Sequence, residues 1–221
     1  MPYQLRPVRE VSLLLAGLSL IAIAVYVDGK DTRPIRVGNL RNPHAGSRNP
    51  LDALAFRTPD PAAAALADIG LYGGPTLPLL LSLHPRTRRQ YPTILLIWLE
   101  TILLNFAITS LLKNTVSRPR PYVLNPDFDA RHELSRNDRA AFLSGHTSHA
   151  AAGSLLFAEL VTSYAEKELV SITTYSLSGF LSGLTAYLRV KAAKHWPTDA
   201  LAGLILGAVV GWLVPRLHRT P

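Results

Sequence analysis

No cysteine occurs among the 221 residues. Disulfides and thiolate metal sites are thereby excluded, and the redox state of the compartment leaves no mark on the chain. Charge is also scarce. Asp, Glu, Lys and Arg make up 17% of the residues, against about 25% in soluble domains. Acidic side chains are the rarer sign, 15 against 23 Lys and Arg, for a net charge of +8. Internal repeats and low-complexity tails are missing as well. A pI of about 10 fits a nucleic-acid binder. It fits equally a protein that lies among anionic lipids and handles phosphate.

What is present decides between the two. Apolar residues make up 48% of the chain, and they come in blocks long enough to cross a bilayer. A single membrane-embedded domain over 1–221 is expected, with its core in 62–215 and no nucleic-acid partner. The 14 glycines and 17 prolines are tolerated in membrane helices, where neighbouring helices satisfy freed backbone groups.

Six apolar spans are expected: 11–27, 62–83, 91–112, 147–164, 169–188 and 198–214. The fold class is therefore all-α and polytopic. The span at 91–112 has about 22 residues, enough for a hydrocarbon core of about 30 Å at about 1.5 Å per residue. Span 11–27 is longer than a signal-peptide core, and no small-x-small cleavage site follows it. It reads as an uncleaved first helix. Span 62–83 holds Gly70, Gly73, Gly74, Pro75 and Pro78 and should be kinked. Residues 28–61 read as an extramembrane loop with a short surface helix near 51–56.

Connections 84–90 and 165–168 are short and force antiparallel neighbours. The long connections 28–61 and 113–146, with the 189–197 turn, then share the opposite face. Arg6, Arg9, Arg86, Arg88, Arg89, Arg216 and Arg219 favour a cytoplasmic first face. More Lys and Arg lie on the second face, but charges in long loops count less.

Three clusters fall at that second face. Lys113 closes one span, and Arg118-Pro119-Arg120-Pro121 follows. The prolines stiffen the exit, and arginine forks match phosphate oxygens. A plain basic flank is the alternative. Ser144-Gly145-His146 precedes the next helix. Ser144 can cap it, and free N–H groups at its start suit an anion. Gly145 permits close backbone approach, and His146 can donate a proton near neutral pH. An ordinary capped helix with an interfacial histidine is the alternative. Arg189 ends the fifth span, and His195 and Asp199 open the sixth. Residues four apart meet on a helix, so Asp199 should accept from His195 Nδ1–H. That leaves Nε2 as a nucleophile, by the orienting logic of a catalytic triad. A structural His–Asp pair is the alternative, and Pro197 suits the first helical turn.

Taken together and in this order, the clusters resemble the type-2 phosphatidic acid phosphatase superfamily, in its membrane-bound branch. Its pattern is Lys-x6-Arg-Pro, Pro-Ser-Gly-His and Ser-Arg-x5-His-x3-Asp. Leu143 replaces the motif proline and Leu188 the serine before Arg189. The resemblance implies that Lys113, Arg120, Arg189, Ser144 and the Gly145 N–H hold the phosphate. It implies that His195 attacks phosphorus, Asp199 braces His195 and His146 protonates the leaving group. Three cations stand where many phosphoryl-transfer enzymes use metal ions, so neither metal nor cofactor is expected.

Other polar residues are read as structural. His149 should pack or meet solvent. Asp127, Asp129, His132, Glu133 and Asp138 should form a solvated loop rather than a metal site. Glu100, Asn105 and Glu159 fall within spans, where carboxylates raise a functional suspicion, but pairing between helices is the simpler role. Trp98, Trp196, Trp212, Tyr91 and Tyr164 should be core or interfacial anchors.

The expected function is hydrolysis of a lipid phosphomonoester or pyrophosphate through a phosphohistidine. Undecaprenyl pyrophosphate, phosphatidylglycerol phosphate, phosphatidic acid and a lipid A phosphate are the candidate substrates. A bacterial inner membrane with a periplasmic active site is the expected setting, with membrane lipids as partners and the oligomeric state open. A lipid phosphotransferase of the same family is one rival. A non-enzymatic lipid- or anion-binding membrane protein, such as a transporter, is another. A soluble haloperoxidase has no place for six spans.

Overall fold

The computed structural model describes residues 1–30, 49–125, 128–129 and 133–220. Among these the regular secondary structure is helical, with an isolated bridge between Tyr3 and Arg219. Six long helical segments are joined in chain order: α1 (Pro7–Lys30), α2 (Pro61–Thr76) with its 3-10 continuation Leu77–Leu83, α4 (Tyr91–Val116), α5 (Gly145–Tyr164), α6 (Glu168–Lys191) and α7 (Pro197–Leu217). The short helix α3 (Pro85–Arg88) lies between the second and third.

Local chemistry sets these boundaries. Asp60 accepts from Ala63 N–H at 3.0 Å and Pro61 opens α2, a favoured start. Beyond Pro75 the helix tightens to 3-10 geometry. This is the kink expected from Pro75 and Pro78. Trp98 Nε1–H donates to the Pro75 carbonyl at 2.7 Å. Within the 28–61 connection, the expected surface helix is a 3-10 turn at Asp52–Ala55. Residues 31–48 of that connection lie outside the described residues, as do Asp127 and His132 of the loop before α5.

Four of the segments are long and apolar enough to cross a membrane: Pro7–Lys30, Pro61–Leu83, Tyr91–Leu124 and Pro197–Leu217. Helices α5 and α6 were expected to match them and do not reach that apolarity. The reason is visible in their packing. Helix α5 sits inside the bundle, with Ala150, Ala151, Ala152, Ser148 and Ser154 fully buried, so it needs small residues rather than an oily surface. Helix α6 buries Ser178, Ser182 and Thr185 on one side. On the other it exposes Leu169, Ile172, Leu177, Phe180 and Tyr187.

The core joins Leu81, Ile94, Ile97, Leu156, Leu160, Val210 and Val214. Helix α7 meets α5 along Gly203, Gly207 and Gly211. A Cβ on Gly203 would lie 2.5 Å from the Ser144 carbonyl, and one on Gly207 would strike the Ser148 carbonyl. Helix α2 is wedged in the same way, Gly74 against Ala150 of α5 and Gly70 against Thr185 of α6.

At one end of the bundle the chain termini converge. Gln4 N–H donates to the His218 carbonyl at 2.9 Å. Glu159 pairs with Arg216 at 3.1 Å and Arg219 at 2.9 Å and accepts from Tyr175. His218 Nε2 lies 2.9 Å from Glu10 and 3.0 Å from Glu100. The carboxylates within spans are thus paired between helices, the simpler of the two roles expected for them. Asn105 accepts from Ser148 at 2.7 Å.

Candidate active site

The opposite end gathers the three clusters. The Ser144 N–H donates to the Asp199 carbonyl at 3.0 Å, which ties the start of α5 to the start of α7. Ser144 caps α5 through a long bond from Thr147 N–H at 3.4 Å. A Cβ on Gly145 would lie 3.4 Å from Lys113 Cε, so the end of α4 reaches the same point. Lys113 Nζ donates to the Ala140 carbonyl at 2.8 Å. Arg120 is 7% exposed and is held by the Asn137 carbonyl and Oδ1, each at 2.7 Å. Arg189 is 5% exposed, and its buried Nε has no hydrogen-bond partner. Among the described residues, no carboxylate forms an ion pair with Lys113, Arg120 or Arg189.

His195 lies beside these cations and is 1% exposed. Burial pushes its proton affinity well below the ordinary imidazole range, and Lys113, Arg120 and Arg189 push it the same way. The ring is therefore neutral. Its Nδ1 lies 2.7 Å from the Ala141 carbonyl, which can only accept. Nδ1 carries the proton, and Nε2 presents a lone pair.

One expectation needs correction. Asp199 does not take the His195 Nδ1 proton. Its Oδ2 stands 4.0 Å away, beyond hydrogen-bond reach. The carboxylate turns instead to the Trp196 N–H at 3.0 Å and to Arg118. Closing the helix start takes that oxygen, so the backbone carbonyl of Ala141 orients the imidazole. Asp199 is still fully buried, and its negative charge lies close to the ring.

Two partners were not anticipated. Arg118 bridges Asp199 and, at 2.7 Å, Asp52. Asp52 also accepts from Thr198 N–H at 3.1 Å and Thr198 Oγ1–H at 2.9 Å. The 3-10 turn at Asp52–Ala55 is thereby latched onto the start of α7. The other is Asp68 of α2, whose Oδ1 lies 2.9 Å from His146 Nε2. A lone Asp in an otherwise apolar span was the only available signal for Asp68, and nothing in its spacing names His146 as its partner. His149 Nδ1 bonds the Gly145 carbonyl at 2.8 Å and its ring packs edge-on to Phe106, the packing role expected of it. Trp196 is buried, and its indole N–H donates to the Pro119 carbonyl at 2.8 Å. Asp138, expected in a solvated loop, is instead buried: it accepts from Ser135 N–H at 2.9 Å and from Tyr122.

A site with three cations, a helix start and a neutral imidazole can hold a tetrahedral dianion and attack it. The profile of the PAP2 superfamily matches residues 94–221, the segment carrying all three clusters. A crystal structure described as the first transmembrane PAP2 type phosphatidylglycerolphosphate phosphatase from Bacillus subtilis shares the fold, with a TM-score of 0.57 and 21% identity over 94% of each chain. No curated protein matches the chain. The sequence pattern and the profile agree over α4 to α7: this chain belongs to the PAP2 superfamily.

Proposed function

We propose that the protein is an integral membrane lipid phosphatase with six spans, cleaving a lipid phosphomonoester or pyrophosphate through a phosphohistidine on His195. One observation carries this reading. Lys113, Arg120 and Arg189 converge on a neutral, oriented His195, with no carboxylate among the described residues paired to any of them. Two buried arginines and a half-buried lysine without a counter-ion among the described residues are costly, and a phosphate group restores the balance.

The mechanism follows from the geometry. Lys113, Arg120, Arg189, Ser144 and the Gly145 N–H bind the phosphate oxygens. His195 Nε2 forms a bond to phosphorus while the bond to the leaving oxygen breaks, and His146 gives that oxygen a proton. The charge arising on the His195 ring is shared with the Ala141 carbonyl and stabilised by nearby Asp199. Water then attacks the phosphohistidine, His146 takes back a proton, phosphate leaves and His195 is restored. Protein cations supply the charge neutralisation that metal ions supply elsewhere, so the reaction needs no metal.

The exposed apolar face of α6 supports counting α5 and α6 among six spans, with α5 shielded by its neighbours. Burial of the phosphate site at one end of the bundle suits a substrate whose tail stays in lipid. The active end faces the periplasm of a bacterial inner membrane in this reading. Phosphatidylglycerol phosphate, which the Bacillus protein's description names, joins phosphatidic acid, undecaprenyl pyrophosphate and lipid A phosphates as candidates.

Phosphate release from purified protein in detergent, over a panel of these lipids, tests the reading. At least one lipid should release phosphate with water alone as acceptor, and EDTA should leave the rate unchanged. His195→Ala should lower turnover by at least about a thousandfold while lipid still binds. Release at the parental rate by the His195→Ala variant would overturn the mechanism.

A further inference from the structure

Asp68 is absent from the three clusters and lies outside the 94–221 segment that matches the superfamily profile. It nonetheless reaches the heart of the site. Its Oδ1 is 2.9 Å from His146 Nε2, with the aspartate side chain 49% and the imidazole 23% exposed. The approach is set by close helix packing. Two residues beyond Asp68, Gly70 packs on the Thr185 side chain of α6, and Gly74 meets the Ala150 backbone of α5 so closely that it could not carry a Cβ. Helix α2 is therefore locked against the two helices that supply His146 and Arg189.

We infer that Asp68 is a positioning residue for the proton donor: it holds the Nε2 proton of His146 and leaves Nδ1 as the atom that gives and takes the catalytic proton. The inference rests on the phosphatase reading above. An ionised carboxylate can only accept, so the bond requires a proton on Nε2. When His146 is doubly protonated, the Nδ1 proton passes to the leaving oxygen as its bond to phosphorus breaks, and the ring is left neutral with Nε2–H still on Asp68. That tautomer presents an Nδ1 lone pair to the water that attacks the phosphohistidine. The groups facing His146 are Asp68 from α2, Lys113 from α4 and Arg189 from α6. Two of these three are cations that oppose a charged imidazole, and Asp68 is the one that favours it. The same half-exposed carboxylate, 2.9 Å from the proton donor, also selects the leaving group. It repels a second phosphate there and welcomes a hydroxyl-bearing or neutral alcohol, so phosphomonoesters are favoured over pyrophosphates.

Asp68→Asn tests both parts, with leaving groups of different need for a proton. A lipid alkoxide requires protonation, whereas p-nitrophenolate departs without it. The variant should lose on the order of tenfold in kcat on a lipid phosphomonoester, within the span of general-acid effects. Its loss on p-nitrophenyl phosphate should be smaller, because there His146 serves only the attack of water on the phosphohistidine. The alkaline limb of its pH–rate profile should move to lower pH, and its ratio of pyrophosphate to monoester cleavage should rise. Asp68→Glu should restore part of the rate on the lipid. Equal losses on both substrates with an unmoved pH profile would mean that Asp68 merely holds the helix, and an unchanged rate on the lipid would refute the inference outright. Lack of phosphate release by the parent protein from every lipid and from p-nitrophenyl phosphate would refute the phosphatase reading, and the role of Asp68 with it.

Discussion

At the scale of single residues, the site turns on which acceptor takes each imidazole proton. His195 gives its Nδ1–H to the Ala141 carbonyl at 2.7 Å, and His146 faces Asp68. The spacing His-x3-Asp correctly places Asp199 next to His195, since residues four apart share a helical face. It does not reveal that Asp199 belongs to the backbone of its own helix start. Trp196 N–H and Arg118 both need that carboxylate, and a carbonyl from a distant loop supplies what His195 requires. The cations then set the form of the proposed nucleophile. Burial first, and Lys113, Arg120 and Arg189 next, hold His195 neutral well below the ordinary imidazole range. In the unfolded chain the same ring binds a proton below about pH 6.5. The unfolded state thus binds more protons in the window below that value, and this residue's contribution to stability falls as the pH drops through it. Lys113→Met removes one of the charges that keep the ring neutral and one phosphate ligand. It should cost about 2–4 kcal/mol of transition-state stabilisation. The acid limb of kcat/KM should also move toward higher pH, which a pH–rate series on the two proteins reads directly.

At the scale of helices, the stripe Gly203, Gly207 and Gly211 does what no catalytic motif describes. Small residues every four positions let two membrane helices touch backbone to backbone, and here they seat α7 on the carbonyls of Ser144, Ser148 and Ala152. The contact at Gly203 coincides with the Ser144 cap and the Ser144 N–H bond to Asp199. Helix packing and site geometry are thus one feature. The apolar runs and the Gly-Pro kink of α2 were legible because length, hydropathy and missing N–H groups act within a segment. The low apolarity of α5 was not interpretable in the same way, because its small residues answer to neighbours that only the fold brings near. Gly207→Ala should separate α5 from α7 at Ser148. It should lower stability in detergent by about 1–3 kcal/mol, the cost of overpacking, and reduce turnover without altering lipid binding. Thermal unfolding with a parallel rate measurement checks this, and an unshifted transition would show that the two helices do not press on one another.

At the scale of the whole molecule, the two ends of the bundle divide the labour. Asp199 and His218 stand at opposite ends of α7, about 28 Å apart at about 1.5 Å per residue. One end holds Lys113, Arg120 and Arg189 without an ion pair among the described residues, beside the paired Arg118. The other pairs its charges: Glu159 with Arg216 and Arg219, and Glu10 and Glu100 with His218. Counting spans placed all three clusters at one end, and the structure gathers them at one end of the bundle. The latch from Asp52 through Arg118 to Asp199 was invisible to such counting, since it joins a loop to a helix start across about 150 residues of chain. Which side each end faces is open to a direct measurement that the missing cysteines make simple. A substitution Leu54→Cys, in the turn beside the active end, or Arg88→Cys, in α3 at the other, would be the sole thiol of the protein. Both positions are exposed, and neither touches the site. In intact cells a membrane-impermeant maleimide should label the Leu54→Cys protein at once and the Arg88→Cys protein only after lysis. The reverse pattern would put the phosphate site in the cytoplasm and remove phosphates on the outer leaflet from its substrates. Labelling of both before lysis would break the span count itself, because Leu54 and Arg88 are separated by the single crossing Pro61–Leu83.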